Sequence, residues 1–522
     1  MLHFRLGYGW TKQRFLAAAE ELDIPVNKNT SAPYEWPADD ADLTADGKSF
    51  SDLKFTATVC LAETVGEDGG GASGEWVATP YKEASIVSLF GIKVNYASVA
   101  STAAIISVVM QLVVFLTLGA LADYGNLRKK MMMICTYVAS ACCIAVIFGG
   151  SKYMYWWVTL MLVVANLLFG FATVFYNAYL PLLVATLPEI LQLSRNPETT
   201  RDELEKAVGK KTSEYSAKGF ATGFAGQFVF LILVVAILAF MSDNANLGIR
   251  IAAMLVGFWA IGFSAYTFAH LKERKGEPLP EGKGYCELSI ENTKKTIKTA
   301  PKLKQMFIFL GAYFIFSDGC STAAGGAATF AQNELKIPAQ YIMASILLVS
   351  LCCVASCAFF FWLESKYSVN PKKILMGVLI AEGFLPVYAL FALTKQIEFY
   401  FLVGVFGLLD GARQAYTRSI FTACIPKGHE SEFFAFYEVT DKGTAWLGPL
   451  IITIVNTATG SYRDAFSCLV VFFAVGVFIL YFFDPKLAIA QREAFEKEEE
   501  VSESFENPGT TLDAAHRRMS LT

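Results

Sequence analysis

Long apolar runs separated by short polar connections dominate the chain from residue 93 onward. A run of about 20 apolar residues crosses about 30 Å of hydrocarbon as a helix. The pattern predicts an all-α polytopic membrane protein with two helical halves, residues 93–270 and 304–485. Eleven membrane spans are expected, at residues 98–122, 131–149, 155–185, 216–241, 247–270, 304–330, 338–363, 372–394, 397–423, 432–459 and 462–483.

Three polar segments frame the two halves. Residues 1–92 are an acidic segment without a span, and their start lacks the apolar core of a signal peptide. Residues 271–303 form a central loop, and the composition of residues 486–522 predicts a disordered tail. Asn29 stands in a glycosylation acceptor pattern, which arises often by chance.

The connections between spans alternate between rich and poor in Lys and Arg. The rich connections follow the first, third, fifth, seventh and ninth predicted spans, and the others carry about one basic residue each. Because basic loops stay in the cytosol, the rich side and the C-terminal tail are predicted to be cytosolic. Residues 1–92 then lie on the opposite side.

Composition supports a membrane protein and argues against an enzyme. Hydrophobic residues make up 54% of the chain, charged residues only 17%, and the mean hydropathy is +0.43. The four histidines lie in tails, loops or helix ends, and no zinc-type spacing or nucleotide-binding glycine loop is present. Most of the eleven cysteines lie in apolar runs, where cysteine acts as a small hydrophobe. We predict no metal, no cofactor and no nucleic-acid partner.

Charge is concentrated in two apolar segments between residues 407 and 450. Ionisable groups inside a bilayer are costly and usually face a protein interior or a water-filled pathway. The spacing of Asp410 from Arg413 and of Glu438 from Lys442 places each pair on one helix face. We take Asp410, Arg413, Asp441 and Lys442 as candidates for a substrate or ion pathway. The alternative, latches between helix ends at the cytosolic surface, applies best to Arg418, Lys427 and Glu432.

Two isolated carboxylates complete the candidate pathway. Asp318 precedes Gly319 in the middle of its span, which predicts a locally broken helix that exposes backbone groups to a substrate. Glu382 lies near the middle of another span. Either carboxylate could exchange protons, and the alternative is that each is hydrogen-bonded across the bundle.

A short motif with glycines and charges follows the first predicted span. Gly119 allows close helix packing, and Gly125 allows a tight turn. Asp123 can cap the helix that follows or pair with the basic run that begins at Arg128. We expect these four residues to form a structured loop.

The stretch from Gly411 to Pro449 resembles the autophagy-related vacuolar amino-acid effluxers of fungi, a branch of the major facilitator superfamily. The residues that carry this resemblance are Gly411, Gln414, Arg418-Ser419, Pro426, Glu430, Phe433-Phe434, Tyr437, Asp441-Lys442-Gly443 and Trp446-Leu447-Gly448-Pro449. The motif Gly119–Lys130 is similar to that superfamily's loop between its second and third helices. The resemblance implies two six-helix halves, so the eleven spans suggest that the family's first helix is missing. The alternative is a true eleven-span protein with a non-cytosolic N-terminal tail.

The resemblance also implies a function. It predicts a vacuolar membrane protein that exports amino acids released by autophagic degradation, with neutral, branched and aromatic amino acids as substrates. Arg413 would hold the substrate carboxylate and Asp318 its ammonium group, and proton coupling through Asp318, Glu382 or Asp410 is left open. The alternatives are a transporter of another small solute and a non-transporting autophagy scaffold or lipid scramblase.

Overall fold

The structure is a computed structural model, and the residues that it describes are almost entirely helical. They are residues 99–151, 154–241, 244–274, 276, 301–337 and 339–506, with short strands at 34–35, 58–59, 86–89 and 92–95. The chain divides into two compact units, residues 1–102 and 103–522. Asn29 and residues 507–522 lie outside the described residues.

Two antiparallel hairpins form the described strands of the first unit. Strand β1 (Tyr34–Glu35) pairs with β2 (Thr58–Val59), and β3 (Ile86–Leu89) pairs with β4 (Ile92–Asn95). In the second strand pair Leu89 stands opposite Ile92. These strands are the one departure from an all-α chain among the described residues.

Helices make up the second unit, and the first of them begins just before it. They are α1 (Val99–Leu118), α2 (Leu127–Ala145), α3 (Tyr155–Ala185), α4 (Pro188–Arg195), α5 (Arg201–Phe240), α6 (Ala245–His270), α7 (Lys304–Asn333), α8 (Ala339–Tyr367), α9 (Pro371–Phe391), α10 (Gln396–Cys424), α11 (Glu430–Gly443), α12 (Leu447–Thr459), α13 (Tyr462–Ser467), α14 (Val470–Tyr481) and α15 (Pro485–Glu506). A 3₁₀ turn, Gly119–Asp123, joins α1 to the loop before α2.

Nine helices of the described chain are long and apolar enough to cross a membrane. Two predicted spans, 397–423 and 432–459, are not among the nine, so the count of eleven stays a prediction. Helix α10 contains four charged residues, which lower its mean hydropathy, and the following segment is split into α11 and α12, of 14 and 13 residues. These are the two segments in which the sequence concentrates its buried charge.

An aromatic-rich core joins the helices of both halves. Phe171 and Phe175 of α3 belong to the same buried cluster as Phe309 of α7, Phe421 of α10 and Phe434 of α11. Aromatic side chains bury large areas and prefer edge or offset contacts, as between Phe421 and Phe434, whose ring centroids are 5.5 Å apart. This core fixes α3, α7, α10 and α11 around the charged residues.

The predicted disorder of residues 486–522 is wrong for its first part. Helix α15 runs from Pro485 to Glu506, with Ala488 and Phe495 buried against the bundle. The acidic composition alone favours a solvated tail. The helix is ordered because its polar side chains bond to groups at the ends of other helices.

Gly411 provides a test of helix packing. A methyl group there would lie 2.5 Å from the Cys353 carbonyl oxygen on α8, so Gly411→Ala should destabilise the fold by about 1–3 kcal/mol. Gly377→Ala is the matched control, because a methyl at that helical glycine meets nothing within 4 Å. Thermal melting of the purified protein in detergent measures both. Equal shifts for the two variants would contradict this packing.

Candidate functional site

A helix break lies between the two halves of the bundle. Helix α11 ends at Gly443 and α12 begins at Leu447, so Thr444, Ala445 and Trp446 interrupt what the sequence predicts as one span. Broken helices expose backbone donors and acceptors inside the membrane and often hold substrates or ions there. Lys442 lies in the last turn of α11, where a cation complements the helix dipole.

Asp318 lies opposite this break. Its Oδ2 accepts a hydrogen bond from the backbone N–H of Gly448 at 2.7 Å, in the first turn of α12. The prediction of a broken helix at Asp318 is wrong, because α7 continues from Lys304 to Asn333. A mid-span carboxylate beside a glycine is compatible both with a broken helix and with a helix that caps a broken neighbour. The sequence of α7 alone therefore does not show that the break lies between α11 and α12. Asp318 is fully buried, so a charged substrate would have to displace this bond to reach it.

Glu438 and Lys442 form an ion pair at the end of α11. Lys442 Nζ donates to Glu438 Oε2 at 2.8 Å, as their spacing of four residues predicts. The other oxygen, Glu438 Oε1, accepts from Asn177 Nδ2 of α3 at 3.0 Å. The Lys442 ammonium also lies 5.3 Å from the centre of the Phe115 ring. Contacts from α1 and α3 therefore bring both halves to this pair.

Asp441 has a different set of partners. Its Oδ1 accepts a hydrogen bond from the Tyr313 hydroxyl at 2.8 Å and another from the Ser317 hydroxyl, both on α7. The Tyr313 ring stacks on Tyr437, with centroids 4.4 Å apart. Neutral hydroxyl donors on α7 therefore hold the Asp441 carboxylate.

Arg418 bridges the two halves from α10. Its Nε donates to the Ser216 hydroxyl at 3.1 Å, and its Nη2 donates to the Ser216 carbonyl at 3.0 Å. Its Nη1 donates to Asn177 Oδ1 at 3.3 Å, which links it through the amide to Glu438. The guanidinium carbon lies 4.3 Å from the centre of the Phe220 ring. Arg418 is buried between helices, whereas Lys427, grouped with it as a latch residue, is exposed.

A second charged cluster lies inside the C-terminal half. Arg413 pairs with Asp410, three residues before it, and its Nε lies 3.4 Å from Glu382 Oε1 on α9. Asp410 also accepts from Gln414 Nε2 at 2.8 Å, and Glu382 accepts from the Cys320 thiol at 3.3 Å. Two carboxylates thus share one guanidinium. The sequence spacing locates the Asp410–Arg413 pair, but the contact with Glu382 has no local signal.

The loop motif contacts the first turn of α11. Asp123 accepts from the backbone N–H groups of Ser431 and Glu432, each at 2.9 Å, and from Arg128 at 2.5 Å. The predicted pairing of Asp123 with the basic run is therefore confirmed at Arg128, but the helix that Asp123 caps is α11 of the opposite half and not the helix that follows it. Arg128 also donates to Glu430 Oε2 at 3.0 Å. We call these contacts of Asp123 and Arg128 with α11 the lock. The motif end is the end of the bundle formed by residues 119–130 and 425–432.

The two glycines of the motif have separate roles. Gly125 has a φ of +56°, a left-handed conformation that favours glycine. Gly119 lies so close to α11 that a methyl group on it would be 2.3 Å from Cβ of Ala435. Both halves therefore meet closely at the motif end.

The site contains no feature of a metal centre. Within the described residues, no group of three or more His, Cys, Asp or Glu side chains could hold a metal ion.

The sequence identifies the charged residues of the site, but it does not identify Cys320 and Ser431, which carry no signal of their own. Their roles depend on helices that are distant in sequence.

Comparisons with known proteins agree with this architecture. A sequence model described as "Vacuole effluxer Atg22 like" matches residues 55–493. Autophagy-related protein 22 of Botryotinia fuckeliana is 26% identical over 456 residues, which cover 76% of each chain. That of Coccidioides immitis is 25% identical and covers 88% of this chain and 83% of its own. The human organic anion transporter MFSD10 (TETRAN) matches with a TM-score of 0.51 and 13% identity, over 74% of this chain and 84% of its own.

Proposed function

The chain belongs to the vacuole effluxer Atg22-like family, and from that premise we propose that it exports amino acids from the vacuole to the cytosol. The amino acids would be those released by autophagic degradation, and their export would sustain protein synthesis during nitrogen starvation. The family and the fold are those of a membrane transporter of the major facilitator type, which is not an enzyme. Transport would proceed by alternating access, with the motif end facing the cytosol, as the distribution of basic residues predicts.

The observation that carries this proposal is the charged helix break between the halves. A zwitterion needs a cation for its carboxylate and an anion for its ammonium group. Lys442 and Asp441 supply one of each beside the break, and both side chains are partly exposed. Tyr313 and Tyr437, which are stacked and buried beside Asp441, make the surroundings of this pair apolar. This arrangement supports neutral, branched and aromatic amino acids as substrates.

In this proposal Lys442 and Asp441 contact the substrate in place of Arg413 and Asp318, the two residues that the sequence suggests. Arg413 is held between Asp410 and Glu382, and its side chain is only 10% exposed. Asp318 is fully buried against the first turn of α12. Both of these residues therefore support the helices around the break, and we assign substrate contact to the neighbouring residues of α11.

Glu382 is the proposed position for a coupling proton. With both Asp410 and Glu382 ionised, the cluster around Arg413 carries a net negative charge in a buried site, which is costly. One bound proton makes it neutral. Glu382 is the less stabilised carboxylate, because a thiol is a weak donor and the Arg413 Nε is not aligned for a hydrogen bond with it.

Efflux from vacuolar vesicles tests the function. Vesicles that contain the protein are loaded with labelled leucine, tyrosine or lysine, and efflux is followed with and without a proton gradient. Efflux of leucine and tyrosine above that of vesicles without the protein is expected, and its dependence on the gradient decides the coupling. If correctly inserted protein releases none of the three, the substrate is another small solute or the protein is a scaffold.

A further inference from the structure

The C-terminal helix α15 bonds to the ends of two membrane helices. Its Gln491 Oε1 accepts from the backbone N–H of Gln305, in the first turn of α7, at 2.9 Å. Its Arg492 Nη1 donates to the Ala423 carbonyl, in the last turn of α10, at 2.8 Å. Helix ends leave such backbone groups without partners inside the helix. Helix α15 therefore caps α7 and α10 at the same time.

The turn between α10 and α11 is held by the same helix. Glu496 Oε1 accepts from the backbone N–H of Lys427 at 2.9 Å. His429 lies between two carboxylates, with Nδ1 at 3.0 Å from Glu432 and Nε2 at 2.9 Å from Glu499. Its ring also makes an edge contact with the buried Phe495 of α15, with centroids 6.0 Å apart. Two carboxylate acceptors require both ring nitrogens to carry protons, so the imidazole is a cation.

This arrangement adjoins the lock and reaches the other half. Glu430, the residue after His429, pairs with Arg128 of the loop motif. Glu493 of α15 contacts Arg201, the first residue of α5 in the N-terminal half. Helix α15 thus contacts the C-terminal half at several points and the N-terminal half through Arg201.

We propose that α15 is a clasp that holds the motif end closed, and that it must detach from His429 before that end can open. The proposal rests on the alternating access proposed above. It assigns to the C-terminal helix a regulatory role separate from substrate binding. The closed state contains the His429–Glu499 and Arg201–Glu493 contacts, and in the open state the two halves separate beneath the helix.

The protonation state of His429 determines whether its contact with Glu499 of the clasp forms. Burial opposes the charge on His429, but the hydrogen bonds that its ring donates to Glu432 and Glu499 outweigh this effect and raise its pKa well above the usual value of 6.5. The contact is complete below the usual value and is lost only as pH rises through the raised pKa. Raising the pH through that pKa therefore weakens the clasp. The charged groups around His429 are Glu430 and Glu432 on α11, Glu496, Glu499 and Arg492 on α15, and Lys427 in the turn.

Chemical labelling of the motif end tests the clasp in the full-length protein. Ser213 is buried on α5 and lies 3.0 Å from Ser419 of the opposite half, so Ser213→Cys reports on separation of the halves. A membrane-impermeant maleimide is applied to the motif side, and the parent chain without Ser213→Cys corrects for native cysteines. Glu499→Gln in this background should raise the labelling rate about three- to tenfold, since it removes a charge-assisted hydrogen bond.

Glu498→Gln is the matched control, one residue away. Glu498 pairs with Lys302 at 2.5 Å, but both side chains are more than half exposed, so this pair should contribute little. Its labelling rate should equal that of the parent, whereas His429→Gln should behave like Glu499→Gln. Equal labelling of parent, Glu499→Gln and His429→Gln would overturn the proposal, as would a lower melting temperature with unchanged labelling. The readout requires no substrate, so it does not depend on whether amino acids are the cargo.

Discussion

Replacing Lys442 with glutamine should reduce amino-acid efflux by about 30- to 1,000-fold. The substitution removes the proposed counter-charge for the substrate carboxylate and leaves Glu438 without its partner at 2.8 Å. Loss of one member of a hydrogen-bonded charge pair between the site and its substrate costs about 2–4 kcal/mol, which corresponds to that range of rates. The initial rate of leucine efflux from vesicles, normalised to the amount of inserted protein, is the measurement.

Two further variants separate substrate binding from folding. Lys427→Gln removes an equal charge from an exposed side chain and should leave efflux unchanged. The double variant Glu438→Gln/Lys442→Gln leaves no unpaired carboxylate at this pair, so it should fold better than Lys442→Gln and remain inactive. Near-parental efflux in the double variant would show that Lys442 does not hold the substrate.

Arg413→Gln should be the most destabilising single change in the C-terminal half. It leaves Asp410 and Glu382 buried without the guanidinium that they share. Breaking a buried ion pair by removing one partner costs about 3–5 kcal/mol. Thermal melting in detergent, together with the yield of monodisperse protein, measures the loss.

Glu382→Gln is the informative comparison for that cluster. It keeps one carboxylate, Asp410, for one guanidinium, so the charges balance, and the amide retains a similar shape. We expect the free energy of unfolding to change by less than about 1 kcal/mol, because the substitution removes the excess negative charge and leaves no buried charge without a partner. The same variant should abolish the dependence of efflux on the proton gradient if Glu382 carries the coupling proton. Comparable destabilisation by Glu382→Gln and Arg413→Gln would contradict the assigned charge balance.

Helices and local ion pairs could be predicted from this sequence because their signals are local. Apolar runs of sufficient length locate the helices. Spacings of three and four residues locate Asp410 with Arg413 and Glu438 with Lys442. The loop motif is also a local signal, because Gly125, which allows a tight turn, lies two residues after Asp123.

Contacts between distant segments could not be predicted in the same way. Asp318 caps Gly448, 130 residues later, and a single sequence contains no signal that joins the two. The sequence therefore predicts the break in α7, which carries Asp318, although the break lies in the segment that Asp318 caps. For a similar reason the sequence predicts disorder where α15 forms. Its order depends on Gln305, Ala423 and His429, none of which is near it in sequence.

The charged helices α10 and α11 also constrain how the protein is made. Helix α10 and the two short helices α11 and α12 are not among the nine helices of the described chain that are long and apolar enough to cross a membrane. Their charged residues contact side chains from earlier parts of the chain: Asn177 and Ser216 bond to Arg418, Glu382 pairs with Arg413, and Asp123 caps α11. Synthesis proceeds from the N-terminus, so these partners are already in the membrane when α10 and α11 emerge. Insertion of the last helices therefore depends on the earlier ones as a template, and a defect in an early helix would appear as failure to integrate a later one.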